Sequence, residues 1–159
     1  MALHSTIADF LKSLPAPPPG PLDPVAMRAG DESHVAPLEK RLPVFAVQDR
    51  TVPTAEGDVP VRIYTPGDAP SHGVLVYFHG GAFFLGSLNT HDHVARELAN
   101  ATDCVVVSVG YRLAPENAFP AGLNDCYAVV KWIAAHGTEP SGGIGWDGRT
   151  LALAGDSSG

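Results

Sequence analysis

At 159 residues, 45% hydrophobic and 17% charged, the chain is long enough for one domain with an apolar core and too apolar to be disordered. A net charge of -7, with no basic run, argues against binding a phosphate backbone, so no nucleic-acid partner is expected. The opening residues lack a basic stretch followed by an apolar one, and no apolar run nears the roughly 20 residues of a membrane helix. Neither a signal peptide nor a membrane span is therefore expected. Cys104 and Cys126 suggest no disulfide framework and read as buried thiols, so a cytoplasmic protein fits.

In chain order, Ile7, Phe10, Leu11 and Leu14 share one helical face, with Ser5 or Thr6 as cap and Pro15 as stop. Pro17-Pro18-Pro19-Gly20-Pro21 reads as a stiff connector, and Asp23 with Pro24 opens a second short helix. Residues 1–42 thus form a small helical segment, either a loosely attached tail or a cap over a pocket. Residues 43–159 read as one α/β unit. Val44–Val52 and Val59–Tyr64 suggest a hairpin turning around Glu56-Gly57-Asp58, with Val59, Val61 and Ile63 on its drier face.

Val74–Phe78, Cys104–Val109 and Leu151–Ala154 are apolar throughout, as strands buried on both faces are. Between them lie two helical patterns. The first, at about 90–102, has Val94, Ala95, Leu98 and Ala101 inward; the second, at about 120–136, has Cys126, Val129, Val130 and Ile133 inward. Strand, helix, strand, helix, strand implies parallel crossovers, so the fold class is an open α/β sheet with an antiparallel start.

Two segments carry chemistry. Leu151–Ala154 runs into Gly155-Asp156-Ser157-Ser158-Gly159, a Gly-x-Ser-x-Gly directly after a buried-type strand. A serine nucleophile has to project from a sharp strand-to-helix turn, where side chains at the flanking glycines would strike backbone. An ordinary Gly-Ser turn is the bland alternative. His79-Gly80-Gly81-Ala82-Phe83-Phe84 follows another apolar strand, and its glycines let backbone amides approach an oxyanion. A helix cap or a metal loop is the alternative there. His91 and His93 lie nearby, but nothing completes a metal set, so neither metal nor cofactor is expected. Both segments follow parallel-type strands, which places them together at the carboxyl edge where open α/β sheets bind ligands.

Three motifs then carry a resemblance. They are Tyr77-Phe78-His79-Gly80-Gly81-Ala82-Phe83 through Ser87 to Thr90-His91, then Tyr111-Arg112-Leu113-Ala114-Pro115-Glu116 with Phe119-Pro120-Ala121, then Gly155-Asp156-Ser157. Residues 40–159 resemble the hormone-sensitive-lipase family of carboxylesterases. The resemblance implies a partial α/β-hydrolase sheet, an N-terminal helical cap, and hydrolysis of short- or medium-chain esters as small-molecule substrates. It casts Ser157 as nucleophile, the amides of Gly80, Gly81 and Ser158 as the oxyanion hole, and His79 as support for the oxyanion loop. Asp156 would orient the elbow, and Arg112 would pair with Glu116. Asp125 would tie its helix to the oxyanion loop or lie on a solvated face. Ala82 and Ser158 stand where the family commonly has glycine and alanine.

A serine needs a histidine base and a carboxylate to orient it, and in α/β hydrolases both follow the nucleophile in the chain. All seven histidines precede Ser157. The chain is therefore expected to be an incomplete, inactive N-terminal portion, its last strand a fraying edge and its elbow relaxed. A receptor-like binder that has lost the triad, or an amidase or lactonase, shares the scaffold and stays open.

Overall fold

A computed structural model describes residues 3–15, 20–69, 72–139 and 143–159. It contains a five-stranded sheet of β1 (Ala46–Thr54), β2 (Gly57–Thr65), β3 (His72–Phe78), β4 (Val105–Val109) and β5 (Trp146–Gly155), in the order β1-β2-β4-β3-β5. The first two strands form an antiparallel hairpin whose turn is Ala55-Glu56, closed by the pair Thr54↔Gly57. Gly57, at φ +122, supplies the left-handed residue at its exit. β2 runs antiparallel to β4, whereas β3 is parallel to both β4 and β5. The antiparallel start and parallel continuation expected from the sequence are both present.

Two helices cover the sheet, α3 (Asp92–Thr102) and α4 (Ala121–His136). Successive side chains of β3 point to opposite faces. Val74 and Val76 join Val129 and Ile133 of α4, while Leu75 and Tyr77 join Ala95 and Ala99 of α3. This double coverage is why β3 and β4 read as mostly apolar runs, Ser108 apart.

The inward stripe of α3 departs from the expected one in part. Ala95 is buried and Val94 and Leu98 pack against the core as expected, but Ala101 is exposed, and Asp92, Arg96 and Ala99 are buried as well. The cause is a buried ion pair one turn long, Arg96 Nε to Asp92 Oδ2 at 2.6 Å, which a search for apolar periodicity passes over. Asp92 also accepts from the Tyr64 hydroxyl at 2.8 Å and faces Arg41 at 3.2 Å, so its charge is well matched.

The N-terminal segment holds α1 (Ser5–Ser13) and α2 (Pro24–Ser33). Asp23 caps α2 as expected, its Oδ1 accepting from Val25 N at 2.9 Å and Ala26 N at 3.2 Å. For α1 the cap position is His4, with no side-chain cap bond from Ser5 or Thr6. Its apolar face of Ile7, Phe10, Leu11 and Leu14 is exposed. Most of the proline-rich connector, residues 16–19, lies outside the described residues.

β5 is longer than the four residues expected, and it is the edge of the sheet as anticipated. The sequence hides its first half because Asp147-Gly148-Arg149-Thr150 reads as a turn. Asp147 Oδ1 does accept from Arg149 N at 2.8 Å, and Gly148 has φ +75. The chain nevertheless stays paired to β3 through a register shift between His72 and Val74.

Candidate active site

The last rung shared by β3 and β5 is Phe78↔Gly155. Both strands run in the same direction, so the His79–Phe84 loop and the Ser157 turn leave the sheet side by side. Ser157 lies at φ +53, a left-handed conformation costing a non-glycine residue about 1–3 kcal/mol unless its surroundings impose it. The elbow is thus not relaxed, contrary to expectation. It is closed by Gly159 N donating to Asp156 O at 2.8 Å. A Cβ on Gly159 would strike the Phe78 carbonyl, and one on Gly155 would strike the backbone of Gly159. Both glycines are there because backbone lies where a side chain would be.

Asp156 joins the elbow to the neighbouring loop. Its Oδ1 accepts from Gly80 N at 2.9 Å and from the Tyr77 hydroxyl at 2.5 Å, and its Oδ2 lies 3.8 Å from His91 Nε2. Burial pushes this carboxyl up, but the Tyr77 hydroxyl, the Gly80 amide and His91 outweigh it and hold the pKa below its ordinary value. This corrects one expectation: the Gly80 amide, assigned to the oxyanion hole, already has an acceptor and points at Asp156. The amides of Gly81 and Ala82 bond to no acceptor among the described residues. Gly81 has φ +127, Ala82 φ +51 and Phe83 φ +64. Ser158 follows Ser157, and its Oγ accepts from Phe83 N of the glycine loop at 3.3 Å.

His79 is 1% exposed and stacks between Tyr111, 4.4 Å away, and His91, 5.2 Å away. Its Nδ1–H donates to the Gly80 carbonyl at 2.8 Å, and its own carbonyl accepts from the Tyr111 hydroxyl at 2.6 Å. Burial holds its pKa below the usual histidine value despite the Gly80 carbonyl. Burial likewise pushes the Tyr111 hydroxyl up to about 12. This geometry suits a residue that shapes a loop rather than one that exchanges protons with substrate. Among the described residues, no group of three or more histidine, cysteine or acidic side chains could hold a metal ion.

Two ion pairs are rearranged from expectation. Arg112 does not pair with Glu116; its guanidinium reaches Asp125 Oδ1 at 2.7 Å and Glu56 Oε2 at 2.7 Å. Asp125 also accepts from Arg112 N at 2.9 Å and is 1% exposed, so it ties α4 to the segment after β4 instead of lying on a solvated face or touching the oxyanion loop. Glu116 pairs with Arg28 of α2, at 2.8 Å. Sequence reading missed Arg28 because its partners lie 56 to 88 positions away, and no local pattern marks such a contact.

With the elbow and the glycine loop side by side, comparison with known proteins becomes informative. Residues 75–159 match the family described as the alpha/beta hydrolase fold. The chain belongs to that family. Its relatives agree with the hormone-sensitive-lipase resemblance. It is 41% identical over 147 residues to the carboxylesterase NlhH of Mycobacterium tuberculosis, covering 86% of this chain and 44% of the relative. It is 37% identical over 150 residues to the esterase LipI of the same organism, covering 87% of this chain and 46% of that one. An esterase structure from Pyrobaculum calidifontis superposes with a TM-score of 0.81 at 40% identity, over 99% of this chain and 50% of that one. The α/β-hydrolase chain described here thus spans about half the length of the relatives it matches. Among its described residues no helix is long and apolar enough to cross a membrane.

Proposed function

We propose that this chain is the nucleophile-bearing part of a serine carboxylesterase acting on short- or medium-chain esters. One observation carries the reading. Two parallel strands end on the same rung and deliver a left-handed serine beside two backbone amides that have no acceptor among the described residues. Ser157 Oγ attacks the ester carbonyl carbon, and the carbonyl electrons move onto oxygen. The amides of Gly81 and Ser158 receive the oxyanion, with Ala82 in the place first given to Gly80. A histidine base, oriented by a carboxylate, would take the serine proton and return it to the leaving alcohol; in α/β hydrolases both follow the nucleophile in chain order. Water then releases the acid from the acyl-enzyme. This chemistry needs neither metal nor cofactor.

Residues 1–42 fit the role of a helical cap, since α2 reaches the loops of the site through Arg28. The relatives' names, esterase and carboxylesterase, support the ester as substrate class. The test is hydrolysis of a short chromogenic ester by the polypeptide of the continuous reading frame. Activity is expected, and Ser157→Ala is expected to remove all but a residual on the order of 10³ to 10⁴ over water. Ligand binding without turnover by that polypeptide would favour a receptor-like protein instead.

A further inference from the structure

We infer that Arg28 of α2 is a positioning residue that holds the oxyanion loop in shape from behind, making the N-terminal helix part of the catalytic apparatus. The inference rests on the esterase reading for its catalytic consequence, though not for its structural content.

The loop needs holding. Ala82 and Phe83 are consecutive non-glycine residues in the left-handed region, a conformation that persists only where neighbours over-determine it. Toward the elbow, Asp156 takes the Gly80 amide and Ser158 the Phe83 amide, which brackets the Gly81–Ala82 span. On the far side, Ala114 N donates to the Phe83 carbonyl at 3.0 Å. Arg28 closes this side. Its Nε donates to the Phe84 carbonyl at 2.7 Å, and one terminal nitrogen donates to the Ala114 carbonyl at 2.5 Å and to Glu116 at 2.9 Å. The other terminal nitrogen donates to Glu116 at 2.8 Å.

One guanidinium therefore links the loop's exit to the peptide that grips Phe83. Only a planar fork with several fixed donors spans such a set. One turn further along α2, Glu32 accepts from the Ser87 hydroxyl at 2.5 Å and from Asn89 Nδ2 at 3.3 Å. The i and i+4 positions of one helix face thus hold the segment that follows the loop at two points. α2 has no fully buried residue, and these polar contacts help to seat it.

The test compares Arg28→Gln, Arg28→Lys and Glu116→Gln in the complete enzyme. Arg28→Gln is expected to lower kcat by roughly 10- to 100-fold at nearly constant KM, because misplaced amides weaken oxyanion binding more than substrate binding. Arg28→Lys keeps one donor for the Phe84 carbonyl and should recover part of the loss. Glu116→Gln removes the charge and one of the two acceptor oxygens but leaves the Arg28 bond to the Phe84 carbonyl, so kcat should fall less than in Arg28→Gln. Equal losses in Arg28→Gln and Glu116→Gln, or none in Arg28→Gln, would overturn the inference. Independently of turnover, the Phe84 and Leu85 amides bond to the Gly81 carbonyl at 3.0 and 2.7 Å. Their hydrogen exchange should quicken about tenfold in Arg28→Gln, the worth of one ordinary hydrogen bond, and change less in Glu116→Gln. Unchanged exchange in Arg28→Gln refutes the strut whether or not the protein hydrolyses esters. Absence of ester hydrolysis with quickened exchange refutes the esterase reading alone.

Discussion

Around Val74–Val76, β3 is enclosed by side chains from two helices; around Gly81 and Gly159, the same edge of the sheet is enclosed by backbone. Side chains in a core can shift rotamers and share a loss among many neighbours, whereas a carbonyl oxygen in a closed turn has nowhere to go. The sheet and the site are therefore sensitive to different things, one to lost volume and the other to a single added atom.

Four substitutions would break or sharpen that contrast. Ile133→Ala, in the layer of α4 against the sheet, should cost about 2–5 kcal/mol in urea unfolding and leave the activity of the folded fraction intact. Gly159→Ala should do the reverse. Its Cβ meets the Phe78 carbonyl, so the elbow must open, with a loss of roughly 100-fold in kcat/KM for a smaller loss of stability. If both variants lost stability and activity together, the contrast would fail. Ser158→Ala removes the acceptor for Phe83 N and should cost about 0.5–1.5 kcal/mol, a few-fold to tenfold effect on kcat.

The smallest effect concerns acid. His79 has a folded pKa below its ordinary 6.5, so the unfolded chain binds the extra proton first. Its contribution is complete above 6.5 and is lost as pH falls toward the folded value. His79→Asn should flatten that part of the stability profile, measured by chemical unfolding at a series of pH values. An unchanged slope below pH 6.5 would assign the acid sensitivity elsewhere.

Local and periodic signals revealed most of the sheet and the serine elbow. β3 and β4 are covered on both faces, so most of their residues are apolar, with His72 and Ser108 the buried polar exceptions, and Gly155 and Gly159 mark the turn because a Cβ at either strikes backbone. Polar structure was harder to see. Asp92 and Arg96 are buried by pairing with each other, which reverses the usual meaning of charge in a helix pattern. Asp147 and Gly148 mimic a turn within β5. The misassigned Gly80 amide shows the same limit, since its acceptor, Asp156, lies 76 positions away. Glycine spacing told that the loop approaches closely, and only the fold told which amides remain open.

The register shift between His72 and Val74 has a consequence for how such a chain can change. A slip of one residue between two strands moves every group past it by about 3.3 Å and turns it to the opposite face, enough to part Ser157 from Gly81. Here the irregular step lies at the entrance to β3 and β5, and the rungs from Val74↔Leu151 to Phe78↔Gly155 stay in phase. The bulge works like an expansion joint. Length changes within residues 147–150 would be taken up there, leaving the exit of both strands aligned.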